Sequence, residues 1–403
     1  MGLILTRSPF HIGRGSLDAN AALTVQVGYV EEAYFEIDET YILNFRNNYY
    51  IDISPLIRSS MGDSYSYSSA SGRYVSDSNR YNHCYVSVTL SGSEDGVVQS
   101  DVISRYLATD GYLYSEEARN TDLVSRLIDN NFYAGSSNVL YKLDDSFELR
   151  IPILNVGKDL LTEPEGDSIS ISWINKGELV YNTDFTYNWT QDGGMGSSIS
   201  NHSFDINPDE SFQNRINDED GVLEKSKCLE SFFNEFKLLE IDKVIIKTSL
   251  TENPTVLYVK TIEECKYNPY RITFKNRYGA MEDLWFFKKS TKSISVKSDE
   301  FRANQLKARI AGGTSIIRST QEYNKNGMES TTLNSGFVDE ALNESFKQLM
   351  LSEEVQLYDF ENDTLSAVKI KDSELKIKTS TNDKLINYTI EVEMSNNIID
   401  DIV

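Results

Sequence analysis

Three cysteines and three histidines in 403 residues leave little material for sulfur or imidazole chemistry. Cys84, Cys228 and Cys265 are odd in number and far apart, which is not a disulfide framework, so synthesis in a reducing cytoplasm is the default. His11, His83 and His202 are scattered, and neither a C-x-x-C nor an H-E-x-x-H spacing occurs, so no metal centre is expected. His83 and Cys84 are neighbours, but adjacent residues on a strand point to opposite faces. Long apolar runs are also missing. Nothing approaches the roughly 18 residues of a membrane helix, and the Gly2–Leu5 run is too short for a cleaved leader, so a soluble chain without membrane insertion is expected. Positive charge is scarce: 39 Lys and Arg face 62 Asp and Glu, a formal net charge of −23. Displacing counterions from nucleic acid takes the opposite sign, so nucleic acid is not expected as the main partner.

Catalytic constellations are equally thin. No G-x-S-x-G elbow is present for a serine hydrolase. Gly193, Gly194 and Gly196 lack the flanking helix and the Lys-Ser/Thr of a phosphate loop. Asp205, Asn207 and Asp209 open like a calcium loop, but Glu210 stands where glycine is required and Ile216 where the closing glutamate belongs. The 62 acidic residues guarantee carboxylate pairs in space, and for that reason single out none of them for glycoside hydrolysis. The expectation is a protein that is not an enzyme and carries no cofactor.

What the chain does have is 24 Tyr and 18 Phe, distributed in period-2 patterns. Leu23, Val25 and Val27 alternate with Thr24 and Gln26, and Ile169, Ile171 and Trp173 alternate with Ser170 and Ser172. Asn175-Lys176-Gly177 closes a hairpin, and Pro55 opens one short helical turn. The fold class expected is mainly β, with two to three β-sandwich or β-barrel-like domains and a few short helices. The clearest helix is expected at about 336–352, where Phe337, Val338, Ala341, Leu342, Phe346, Leu349 and Met350 fit one apolar stripe. Four segments are expected: an N-terminal arm at 1–20, a β-rich domain at 21–155, a second at 156–262 and a C-terminal β domain with the helix at 263–403. The first domain carries a Ser/Tyr-rich loop at 59–78, and the second a long polar loop at 189–221.

One stretch departs from the acidic background. From Lys266 to Arg309, 11 basic residues face 4 acidic ones, a balance of +7 that leaves −30 for the rest. Such asymmetry suits docking between subunits. The candidate interface is Arg271, Lys275, Arg277, Lys288, Lys289 and Lys292. Within the stretch, Tyr270, Ile272 and Phe274 alternate with Arg271, Thr273 and Lys275 as in a half-buried strand. Asn276 to Gly279 supplies a turn with Gly279 free to take a positive φ. Tyr65, Tyr67 and Tyr74 in the 59–78 loop, and Trp189 in the polar loop, are candidate exposed contacts, since Tyr gives large contact area at low entropy cost. Trp173 and Trp285 read as core filling.

The blocks E-C-K-Y-N-P-Y-R-I-T-F-K-N-R-Y-G-A-M-E-D-L-W-F-F-K-K-S (Glu264–Ser290) and T-L-N-S-G-F-V-D-E-A-L-N-E-S-F-K-Q-L-M-L-S-E-E-V (Thr332–Val355) resemble a family of tailed-bacteriophage virion proteins. N-D-K-L-I-N-Y-T-I-E-V-E (Asn382–Glu393) and I-D-I-S-P-L-I-R (Ile51–Arg58) are similar to it as well. The resemblance covers about a third of the chain and carries no functional residues. It implies a structural component of the phage tail, at its distal end or baseplate, made in the host cytoplasm and located in the virion. Its partners would be other copies of itself and other tail proteins. The alternative is a receptor- or carbohydrate-binding module of the tail tip, with a host-surface glycan as ligand.

Overall fold

The computed structural model describes residues 2–31, 34–61, 67–68, 73–74, 83–117, 123–143, 150–153, 168–186, 202–205, 241–248, 250–264, 266–302, 320–362, 364–372, 374–377 and 385–399. The fold is mainly β with several separate sheets. In chain order the first strands are β1 (Gly2–Leu5), β2 (His11–Gly13), β3 (Ala22–Glu31), β4 (Tyr34–Asn44) and β5 (Tyr50–Asp52). Helix α1 (Ser54–Ser60) has Pro55 in its first turn, where a missing N–H costs nothing. Asp52 accepts hydrogen bonds from the N–H groups of Phe10 and Ser54, at 3.0 and 3.1 Å, tying the entry of α1 to the start of the chain. Then come β6 (Tyr67–Ser68), β7 (Arg73–Tyr74), β8 (His83–Glu94), β9 (Val97–Thr109) and helix α2 (Leu123–Asp129).

The first large sheet has the order β1-β9-β8-β3-β4. Its inward side is the alternating set read from the sequence: Leu23, Val25 and Val27 pack with Val86, Val88 and Ile4 in one buried cluster. The segment 1–20 is not the loose arm expected. β1 lies parallel to β9, with Gly2 opposite Tyr106 and Leu5 opposite Thr109, and Ile4 is fully buried. Four residues suffice because β9 provides the ladder and only two side chains need a core.

A second five-stranded sheet uses β10 (Val139–Leu143), β12 (Ser168–Asn175), β13 (Glu178–Thr186), β15 (Lys243–Thr248) and β16 (Thr255–Ile262), in the order β10-β16-β15-β12-β13. The β12–β13 hairpin turns at Lys176 and Gly177, φ 48° and 90°, the paired positive values a tight two-residue turn requires. Two short strands, β11 (Arg150–Ile153) and β14 (His202–Asp205), pair separately. Asn131 ties this sheet to the end of α2: its Oδ1 accepts from the Thr248 N–H at 3.0 Å and its Nδ2 donates to the Asn253 carbonyl at 2.9 Å.

The remaining strands are β17 (Tyr270–Lys275), β18 (Met281–Phe286), β19 (Thr291–Arg302), β20 (Thr320–Asp339), β21 (Val355–Asp359), β22 (Thr364–Ile370) and β23 (Leu385–Met394). They form a seven-stranded sheet in the order β18-β17-β21-β22-β23-β20-β19. The expected helix begins seven residues late. Asn334 to Phe337 is a bulge within β20, with Gly336 at φ 71°, and Val338 pairs with Ile386 of β23. A 3₁₀ turn at Glu340–Leu342 follows, and helix α3 runs only over Asn343–Leu351. The Asp339 side chain caps the turn by accepting from the Ala341 N–H at 3.0 Å.

By compactness the chain forms two units. The first is Met1–Glu263 with Phe274–Asp283 and Glu344–Ser352; the second is Glu264–Thr273, Leu284–Asn343 and Glu353–Val403. The segments 21–155 and 156–262 both fall in the first unit, and 1–20 contributes β1 and β2 to it.

Candidate assembly surface

The first part of the basic, aromatic stretch, β17 and the turn after it, is internal structure rather than a docking face. All six residues of β17 are buried, so the strand has no solvated side. In the second unit the Arg271 guanidinium lies 5.8, 5.1 and 5.5 Å from the ring centroids of Trp285, Tyr358 and Phe360, an aromatic enclosure around the cation. In the first unit Lys275 reaches Asp110 at 3.1 Å. Arg277 grips both carboxylate oxygens of Glu117 at 2.8 and 2.6 Å while lying over Tyr114. Burial pushes the Glu117 carboxyl up, but the hydrogen bond from Arg277, with that of the Tyr114 N–H and the charge of Arg277, outweighs it and holds the group below its ordinary value. Arg271, Lys275 and Arg277 are thereby corrected from interface candidates to interior ties. The reason is local: each cation has an aromatic or acidic partner inside its own unit, and a paired, enclosed charge is not available to a neighbour.

The other three lysines lie in the second unit. Lys288 is half-buried and bonds Glu264 at 2.5 Å, holding that carboxyl below its ordinary value. Lys292 sits 3.6 Å from Asp359 and 4.0 Å from Glu329. Lys289 is exposed. Of the tyrosine candidates, Tyr67 and Tyr74 lie opposite one another in the β6–β7 pair, while Tyr65 and Trp189 lie outside the described residues. Trp173 and Trp285 are buried, Trp285 stacked on Phe360 at 5.2 Å. Cys84 is buried in the first sheet, and burial pushes its thiol up to about 12. It is therefore protonated and unreactive at neutral pH.

What the second unit does expose is the ribbon of β19 and the first half of β20. Every residue of β19 is exposed, and it is the outer strand of its sheet. The pair runs from Thr291 opposite Thr332 to Arg302 opposite Thr320, with one register shift between Lys297 and Asp299. Asn324, at φ 50°, lies beside that irregularity and donates from its side chain to Asp299 at 3.1 Å. On one face Ile294 (64% exposed) and Val296 (54%) stand two residues apart. Val296 faces Gly327 across the ladder, and a side chain there would meet Ile398 at 3.2 Å and Ile294 at 3.5 Å. The Ile398 N–H donates to the Gly327 carbonyl at 2.8 Å, so the C-terminal segment lies alongside the ribbon and adds its own exposed isoleucines. Further out, Phe301 and Tyr323 meet edge to face at 5.7 Å while both remain about half exposed.

Nothing in the sequence marks the ribbon residues as exposed. The S-I-S-V alternation at Ser293–Val296 marks one apolar face, and the ordinary reading places such a face against a core. Among the described residues no group of three His, Cys, Asp or Glu side chains is placed to hold a metal. No protein-family model matches the chain, and no curated protein matches it.

Proposed function

We propose that this chain is a non-enzymatic structural subunit of a bacteriophage tail, at the distal end or baseplate, that acts by oligomerising and by docking neighbouring tail proteins. The sequence blocks at Glu264–Ser290 and Thr332–Val355 support the tail assignment, and the β19–β20 ribbon supports the mode of action. The ribbon is the observation that carries the reading. Twelve residues at ~3.3 Å each give a length of about 40 Å, and two strands give a width of about 10 Å. One face then offers about 400 Å², and a neighbour that enclosed both would cover about 800 Å², the area one partner contributes to a standard interface. A ribbon that keeps Ile294, Val296 and Phe301 of β19 and Tyr323 of β20 in water gains little from the isolated chain and much from a second surface. The occupant proposed is a second copy of this chain, arranged head to tail so that the contact closes by rotation into a ring.

The test uses the full chain with Ile294→Asp and Val296→Asp introduced together. Native mass spectrometry should find a closed oligomer for the parent chain and monomers for the double variant, with equal melting temperatures at concentrations low enough to leave the parent monomeric. A monomeric parent across micromolar concentrations, or a double variant that assembles as well as the parent, would overturn the reading. Lys289→Glu is the cleaner charge reversal on the neighbouring face. Lys288 holds Glu264, so its reversal disturbs the unit itself.

A further inference from the structure

On the ribbon face that carries Ile294 and Val296, the strand continues back to Lys292, and there the second unit holds a groove of about 480 Å³. The volume lies in the range of small-molecule sites, ~300–1,000 Å³. The order of the sheet places β19 four positions from β21, yet Lys292 of β19 lies 3.6 Å from Asp359 of β21, so the sheet curls until these strands face across the groove. The floor is a fixed charge set: the Lys292 ammonium stands between Asp359 and Glu329, at 3.6 and 4.0 Å. Asp359 also accepts from Asn268 at 2.5 Å and the Glu361 N–H at 3.1 Å on Oδ1, and from Asn362 at 2.9 Å on the Oδ2 that faces Lys292.

Three features point to the kind of molecule that would fit. One cation against two carboxylates leaves the floor net negative, which disfavours phosphate and other anions. The rim is neutral and polar, with the exposed Asn362, Thr364, Asn396 and Asn397 offering both donors and acceptors. Between them lie the apolar Leu357, Leu365 and Met394. Thr331, fully buried beneath the lining, has a hydroxyl with no hydrogen-bond partner. Hydroxyl groups donate and accept from one atom, and a pyranose ring adds C–H faces for aliphatic contact.

We infer that this groove is a binding site for a neutral saccharide, held by the carboxamides of Asn362, Asn396 and Asn397 above the Lys292–Asp359 pair. This does not rest on the assembly reading: the groove adjoins the Ile294–Val296 face and shares Ile398 with it, but its carboxamides at Asn362, Asn396 and Asn397 are not the residues that the assembly test changes. A site of this kind on a virion subunit would bind surface glycan.

The experiment presents the full chain with glucose, galactose, N-acetylglucosamine and lactose, with sialic acid as the anionic control, and reads binding by ligand-observed NMR and calorimetry. Saturable binding of at least one neutral sugar is expected, stronger than that of sialic acid. Joint Asn396→Ala and Asn397→Ala substitution should weaken it about tenfold or more, the worth of one or two hydrogen bonds. These side chains are exposed, so the melting temperature should not move. Thr331→Val, which removes only the unpartnered hydroxyl, gives an independent reading at the floor. Absence of binding by all four neutral sugars, a preference for sialic acid, or binding indifferent to every substitution overturns the proposal. Each of those results leaves the mass-spectrometric test of assembly untouched.

Discussion

Glu282 is the buried group with most at stake in the first unit. Its carboxylate accepts from the Ser136 N–H at 3.1 Å, from the Ser136 hydroxyl, from the Asn276 amide at 3.1 Å and from the Ser345 hydroxyl at 2.8 Å. One side chain thus joins β18, the β17–β18 turn, α3 and the segment before β10. Glu282→Ala strands several buried donors at once and should cost about 3 kcal/mol, read as a lower urea midpoint with an unchanged slope. The charge has a second consequence. Burial pushes the Glu282 carboxyl above its ordinary value, and the surrounding donors offset this only in part. Its stabilising contribution is therefore full below the ordinary carboxyl value of about 4.3 and is lost as pH rises through the elevated one. Glu117 and Asp359 behave oppositely. Burial raises both, but Arg277 and Tyr114 for the first, and Asn362, Asn268 and Lys292 for the second, hold them low. Their contribution is full above the ordinary value and is lost as pH falls through the depressed one. Urea midpoints measured across pH should fall on both sides of a maximum. Glu282→Gln should flatten the alkaline side, and Asp359→Asn the acid side. A midpoint indifferent to pH in the parent chain would contradict both assignments.

Among the elements, Gly336 sits in the bulge of β20 that precedes the 3₁₀ turn and α3. A side chain there would stand 2.7 Å from Phe287 and 2.8 Å from Lys288, on a backbone at φ 71°. Gly336→Ala should destabilise the second unit by about 1–3 kcal/mol, through the left-handed strain and the displaced ring together, and thermal unfolding will measure it. The same residues show where the sequence was readable. Strand alternation at Leu23–Val27 and Ile169–Trp173, the Pro55 helix start, the Lys176-Gly177 turn and the positive φ of Gly279 all follow from local chemistry. Gly279 sits in a turn closed by Asn276, which accepts from the N–H groups of Tyr278 and Ala280 at 3.0 and 3.1 Å. Phe337 and Val338 are adjacent strand residues, the first 70% exposed and the second buried, and only their spacing to Ala341 and Leu342 gives them the look of a helical stripe. The interior fate of Arg271, Lys275 and Arg277 was not readable at all. Their partners Asp110, Glu117 and Tyr358 lie roughly 90 to 170 positions away in sequence, and only the fold brings them near. The groove at Lys292 is illegible for the same reason, since β17 and β19 to β23 each supply part of its wall.

At the scale of the whole molecule, a net charge of −23 sets a condition that any self-assembly must meet. Copies repel at long range, and the ribbon must bring enough apolar surface to overcome it. Repulsion between exposed charges is screened within about 8 Å at physiological ionic strength, whereas contact between Ile294, Val296 and a partner is not weakened by salt. Raising salt from low to physiological concentration should therefore strengthen the oligomer, the opposite of what a contact built on Lys288, Lys289 and Lys292 against an acidic face would do. Analytical ultracentrifugation at a series of salt concentrations separates the two mechanisms. Assembly also stabilises the fold by mass action, so the melting temperature of the parent chain should rise with protein concentration. The Ile294→Asp, Val296→Asp variant should melt at one temperature whatever its concentration. A parent oligomer that dissolves as salt is added would place the contact on the basic residues and remove the ribbon from the account.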